Sequence, residues 1–112
     1  MSELIKNVEK EELFAPKGLV EVEPGRVNSL TLAQTPACKM TVFAIDEGEG
    51  MSSHAAGGDA MVFVQEGTAE ITIKGEPHLV NAGEAIVIPA GAPHAVRAVT
   101  AFKMLLTVVF PQ

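Results

Sequence analysis

The sequence predicts an all-β protein of two antiparallel sheets, arranged as a sandwich or small barrel. From residue 19 onward, apolar and polar side chains alternate with period two, which is the spacing of strands and not of helices. Turn signals rich in Gly and Pro recur about every eight to twelve residues between these segments. The 112 residues, 47% of them hydrophobic, suffice for one domain with one core.

The N-terminal 26 residues are predicted to be an arm and a first strand that pack on the barrel or on a partner, with the barrel itself over residues 27–112. Residues 1–18 mix charged and apolar side chains and end at a Pro and a Gly, which is typical of a helical turn or an extended arm. Residues 19–23 alternate valine with glutamate, so a short strand is expected before the next turn.

The remaining strands follow from the same alternation and are predicted at residues 27–33, 38–45, 61–65, 69–74, 78–80, 85–88, 94–99 and 102–110. Residues 51–58 are predicted to be a loop. The strand at 38–45 is apolar on both faces, with Met40, Val42 and Ala44 on one and Thr41, Phe43 and Ile45 on the other. Such a strand is expected to be covered on both sides.

The stretch at residues 83–94, GEAIVIPAGAPH, carries the clearest site signal. An apolar strand runs into Pro89 and Gly91, which suit a sharp reversal because proline fixes φ and glycine accepts positive φ. His94 opens the next strand, so its side chain is held by a rigid turn. The spacing of Gly83, Pro89, Gly91 and His94 resembles the second motif of the cupin family.

The first cupin motif has Gly, five residues, His, one residue, His, three or four residues, Glu, six residues and Gly. Gly48, His54 and Gly67 match it in this chain, whereas Ala56 stands at the second His position and Ala60 at the Glu position. Because the two motifs occur in the same order as in the family, the chain resembles cupins over roughly residues 27–110. The resemblance implies a small double-stranded β-helix, or jelly-roll barrel, of two antiparallel sheets.

The cupin resemblance places His54 and His94 at two of the four metal-ligand positions of the family. It implies one divalent transition metal, zinc, iron, manganese or nickel, all of which imidazole nitrogen binds. Catalytic zinc usually takes about three protein ligands, so a further donor is needed. Asp59 is the nearest carboxylate, but it faces the cavity only if Gly57-Gly58 forms a bulge; otherwise it caps loop amides.

Strand alternation predicts which side chains share the barrel interior. If His94 points inward, Val96 and Ala98 do so too, while Arg97 points outward. The family resemblance places the Ala60 face of its strand inside. The predicted ligand-binding residues are His54, His94, Val62, Val64 and Met104. Met40 and Met61 are further candidates for the pocket wall, and core packing explains them equally well.

Two functions follow from this site. One is a barrel that binds a small molecule in a largely apolar pocket, with His54 and His94 as polar anchors. The alternative is a metal-dependent cupin enzyme of the dioxygenase, isomerase or cyclase type, as the resemblance implies. Without a metal, catalysis would depend on the two imidazoles alone. A third possibility is a protein whose role is assembly.

The composition of the chain disfavours several classes of binding partner. A net charge of −6 and a pI near 4.9 disfavour nucleic acid and anionic membranes. Cys38 is the single cysteine, so no internal disulfide forms, and the N-terminus lacks the pattern of a signal peptide. A cytoplasmic protein is therefore expected. Jelly-roll barrels of this size carry edge strands, from which we expect a homodimer, with residues 19–22 pairing across the two-fold axis or covering the partner's sheet.

Overall fold

The computed structural model describes residues 4–112 and confirms the all-β prediction. A short 3₁₀ turn at Pro16–Gly18 precedes nine strands. The strands are β1 Val27–Gln34, β2 Cys38–Ile45, β3 Gly50–His54, β4 Asp59–Glu66, β5 Thr68–Ile73, β6 Glu76–Asn81, β7 Ala85–Ile88, β8 His94–Ala98 and β9 Phe102–Val109. The predicted strands within residues 27–110 are all present. The predicted loop at residues 51–58 is wrong in part, because its first residues belong to β3.

Two antiparallel sheets face each other. The larger has the strand order β1-β2-β9-β4-β7, and the smaller has the order β3-β8-β5-β6. Apart from the hairpins β1-β2 and β5-β6, consecutive strands cross from one sheet to the other, which encloses a space between the sheets, as in a jelly roll. The two sheets therefore contribute opposite walls of the same interior.

The main core fills the space between the sheets. Its largest fully buried side chains include Phe102, Ile45, Ile71, Ile88 and Met104, which come from both sheets. Their burial follows the predicted alternation, because outward neighbours such as Met61 and Val87 are exposed. Several residues of this core, among them Ile88 and Met104, also line a cavity between the sheets.

The segment after the 3₁₀ turn is not a strand, so the prediction for residues 19–23 is wrong. It makes no ladder with a neighbour. Its valine alternation instead buries Val20 against Leu32 and Val42 on the outer face of the larger sheet. Lys103 fastens this arm to β9, since its Nζ donates a 2.8 Å hydrogen bond to the Lys17 carbonyl. The arm thus covers its own sheet.

The arm also reaches the edge of the larger sheet. The Lys6 amide donates to the Leu32 carbonyl at 2.8 Å, and the Asn7 side chain donates to the Thr31 carbonyl at 2.6 Å. Both contacts fall at a register shift in β1 between Thr31 and Ala33. They satisfy edge carbonyls that would otherwise be open to pairing with another chain. Across residues 4–112 no helix has the length and hydropathy needed to cross a membrane.

Candidate functional site

A cavity of about 340 Å³ lies between the two sheets and holds both predicted histidines. Val62 and Met104 line its apolar wall, as predicted. Val64, which was also predicted to bind the ligand, is not among the residues that line the cavity. It lies one inward position further along β4, where it is fully buried in the core cluster between the sheets. The cavity therefore extends along β4 past Ala60 and Val62 but does not reach Val64.

His54 and His94 lie directly opposite each other on the paired strands β3 and β8. Their ring centroids are 4.3 Å apart, with the ring planes inclined by 57°. His94 is only 6% exposed, whereas His54 is exposed at the open end of the cavity. Residues forty apart in sequence thus place two imidazoles side by side in one wall.

A bulge in β3 brings His54 to this position. Met51 pairs with Val96, and His54 pairs with His94, so β3 advances three residues where β8 advances two. The extra residue lies between Met51 and His54, and it lets both side chains line the cavity although they are an odd number of residues apart. Without the bulge, alternation from Met51 would turn His54 outward.

Backbone carbonyls orient both imidazole rings. His54 Nδ1 lies 2.9 Å from the Ser52 carbonyl, and His94 Nδ1 lies 2.9 Å from the Ala92 carbonyl. A carbonyl oxygen only accepts, so we assign the proton in each ring to Nδ1. In the neutral rings, Nε2 then carries the lone pair. In histidines that bind metals in proteins, the ring nitrogen that does not bind the metal donates a hydrogen bond in the same way, and this bond fixes the tautomer.

Two hydrogen bonds join the loops that carry the histidines. The turn after β7 has Gly91 at φ 79°, as the sequence predicted, and its amide donates to the Ala56 carbonyl at 2.9 Å. The neighbouring Ala90 amide donates to Asp59 Oδ1 at 2.8 Å. Asp59 therefore caps a loop amide, which is the structural role considered for it, and its carboxylate is absent from the cavity wall.

The donor set does not fit a metal held by protein ligands alone. Among residues 4–112, no group of three or more His, Cys, Asp or Glu side chains is placed to bind a metal ion. Ala56 and Ala60 both line the cavity and present methyl groups there. Two imidazoles are about one ligand short of a catalytic zinc site. The third donor proposed from sequence, Asp59, is held by Ala90 instead.

The larger sheet adds polar side chains that were not among the residues predicted from the sequence. Lys39 and Thr41 of β2 both line the cavity, together with Phe43. The sequence signal was the alternation of β2, which places these three on one face. Of the candidate methionines, Met40 packs instead on the outer face against the arm, and Met61 is 43% exposed.

The other chemically reactive side chains lie outside the cavity. His78 is half-buried on β6, opposite Ile71 in the ladder. Arg97 points outward, as predicted, and its Nε lies 3.5 Å from a Glu70 carboxylate oxygen. Cys38 is a partly buried free thiol at the start of β2. Among the described residues, the two histidines predicted to bind a ligand therefore lie together in the cavity, and these other reactive side chains lie outside it.

The comparisons with known proteins agree with this geometry. The family model of the cupin domain matches residues 41–110, which is more than half of the chain. A conserved protein of unknown function from Streptococcus pyogenes is 42% identical over 99% of this chain and 97% of its own, with a TM-score of 0.96. None of the curated proteins matches.

Two further solved structures share the fold over most of the chain. A cupin superfamily protein from Desulfitobacterium hafniense is 26% identical, covers 96% of this chain and 98% of its own, and gives a TM-score of 0.90. A cupin 2 conserved barrel domain protein from Leptotrichia buccalis is 41% identical over 82% of this chain and 45% of its own, with a TM-score of 0.81.

Proposed function

This chain belongs to the cupin family, and we propose that its barrel binds a small molecule, with His54 and His94 as the polar anchors. The observation that carries this is the histidine pair, 4.3 Å apart, in the wall of an otherwise largely apolar cavity. A ligand pocket typically combines an apolar lining with a few fixed polar groups that orient the ligand.

The size of the cavity limits the ligand. At about 340 Å³ it lies near the lower end of the range for small-molecule sites, roughly 300–1,000 Å³. The Nε2 atom of each neutral ring accepts a hydrogen bond, because Nδ1 donates to a backbone carbonyl. A ligand with a compact apolar body and one polar group fits the size and the largely apolar lining of the cavity.

A metal-dependent cupin enzyme is the second candidate. The bonds from Nδ1 to backbone carbonyls favour it, since this arrangement leaves Nε2 free in the manner of metal-binding histidines. It needs a donor that the described residues do not place in the cavity. A chelating substrate is the remaining source. The dioxygenase, isomerase and cyclase types are all compatible with two imidazoles.

Ligand binding is tested by NMR on protein with labelled histidine rings. A set of small molecules, each with an apolar body and one polar group, is titrated into the protein. We expect ring signals of His54 and His94 to shift together, and those of His78, outside the cavity, to stay unchanged. The double variant His54→Ala/His94→Ala should lose affinity, whereas His78→Ala should retain it. If no probe moves the two cavity signals, the binding proposal is wrong.

Metal analysis separates the two candidate functions. Protein purified without added metal is analysed beside His54→Ala/His94→Ala, and again after incubation with iron, manganese, zinc and nickel. Near-stoichiometric metal that the double variant loses supports the enzyme. Absence of metal after every incubation supports a barrel that binds its ligand directly through imidazole.

A further inference from the structure

We propose that the cavity binds a small organic anion, a carboxylate on a compact apolar body, with the Lys39 ammonium as its charge partner. The proposal rests on the proposed binding function and adds the chemical class of the ligand. It is carried by the position of Lys39, by the charges of the cavity wall and by the absence of a competing partner for its ammonium.

Lys39 lies on the inner face of β2. Ile45 on the same face is fully buried in the core between the sheets, and Phe43 packs against that core and lines the cavity. Val42, on the opposite face, packs against the arm outside the sheet. Because side chains alternate strictly along a strand, Lys39 shares the inner face with Phe43 and Ile45. Its side chain also lines the cavity directly.

The ladder places Lys39 in the same row as the lost carboxylate position. Lys39 pairs with Val108, and Val108 pairs with Ala60, so two strand spacings of about 4.8 Å separate Lys39 from Ala60 across the sheet. All three residues line the cavity. A cation therefore faces the cavity at the level where the family motif has a glutamate, and an alanine stands in place of that glutamate.

The cavity wall differs in charge from the rest of the molecule. The chain has a net charge of −6 and 14 Asp and Glu residues. None of these acids is among the described residues that line the cavity, where the ionisable side chains are Lys39, His54 and His94. A site with a lysine ammonium and no carboxylate attracts anions, because the charge that lines a cleft raises the local concentration of ligands of opposite charge.

The Lys39 ammonium has no hydrogen-bond or ion-pair partner among residues 4–112, although the residue is only partly exposed. Its nitrogen is not among the fully buried, unpartnered side-chain atoms of the described residues, so the ammonium and its three donors remain accessible to an entering ligand. A ligand carboxylate satisfies those donors. Thr41, two residues along the same inner face, adds a hydroxyl, while Phe43, Leu106 and Met104 receive the apolar body.

The experiment compares benzoate with benzamide, and hexanoate with hexanamide, by NMR titration and calorimetry on the full chain. Each pair differs in charge and hardly in size. We expect the carboxylates to bind at least about tenfold more tightly than the amides, because hydrogen bonds to a charged group are the stronger ones. Lys39→Met should remove that preference, and Lys39→Arg should retain carboxylate affinity within about threefold. Lys17→Met, an exposed lysine on the arm, is the matched control.

The outcomes separate the two proposals. Equal binding of carboxylates and amides that shifts His54 and His94 signals would overturn the anion assignment and leave the binding function intact. If neither the carboxylate nor the amide of a pair shifts the His54 and His94 signals, both the anion assignment and the binding function are overturned for these probes. The preference of the unmodified protein for carboxylates is measured independently of any variant, so a poorly folded Lys39→Met protein would not decide the result.

Discussion

Replacing Ala56 with His and Ala60 with Glu is expected to give the cavity a zinc site. Both alanines line the cavity beside His54 and His94, so the two new side chains enter the same space. The variant then presents three imidazoles and one carboxylate, a donor set suited to zinc. Both substituted positions already line the cavity, so the variant gains metal-binding side chains without any strand having to move.

The size of the effect follows from the cavity. Its volume of about 340 Å³ accepts the added atoms, which keeps the cost of the substitutions at or below the roughly 1–3 kcal/mol of overpacked cores. At free zinc a hundredfold above the dissociation constant, binding stabilises the fold by about 2.7 kcal/mol. For a domain of this length, that raises the unfolding temperature by about 10 °C.

The assay is zinc content after desalting, together with thermal unfolding with and without zinc. We expect close to one zinc per chain and the zinc-dependent rise in unfolding temperature. The control is Ala55→His/Met61→Glu, one residue along each segment; Ala55 and Met61 are both exposed and neither lines the cavity. It should bind no zinc. A folded Ala56→His/Ala60→Glu protein without zinc would show that residue identity is not what separates this chain from a metal site.

Four substitutions at three positions and one mass measurement test the rest of the reasoning. Asp59→Ala should lower the free energy of unfolding by about 1–3 kcal/mol, because the Ala90 amide loses its acceptor, and Asp59→Asn should recover part of this in denaturant titration. Gly50→Ala should cost about 1–3 kcal/mol and broaden His54 signals, since a Cβ there collides with the Val96 carbonyl. Phe102→Ala should cost about 3–5 kcal/mol by chemical unfolding, as the ring is fully buried. Light scattering should give twice the 11.8 kDa chain mass if the expected homodimer forms through an edge other than β1, whose carbonyls the arm already occupies, and a monomer mass would refute it.

The sequence predicted the positions of eight of the nine strands but missed β3, for a physical reason. The segment Gly50–His54 reads GMSSH, without the β-branched or aromatic residues that mark a strand. It becomes a strand because it pairs with β8, a tertiary contact that no local pattern contains. The bulge between Met51 and His54 is equally invisible to alternation. The family spacing identified His54 where periodicity would have placed it outside.

The opposite error occurred in the arm. Residues 19–23 have a clear period of two, and the structure uses it, since Val20 is buried while Glu21 and Glu23 are exposed. No strand pairs with the segment, because it lies across the face of the larger sheet and not along its edge. A period of two predicts that one side of a segment is buried. It does not predict that the segment forms backbone hydrogen bonds with a neighbouring strand.

Lys39 shows why the charge of the site could not be read from the sequence. Lys39 was not among the site residues predicted from the sequence; alternation puts it on the face of Thr41 and Phe43, but both faces of β2 are apolar enough to be the inner one. The arm decides between them. By burying Val42 on the outer side, it directs Lys39 into the barrel, where a lysine at the end of an apolar strand becomes a cation facing a cavity without carboxylates. Residues far from the site in sequence thus determine which side chains of β2 line the cavity.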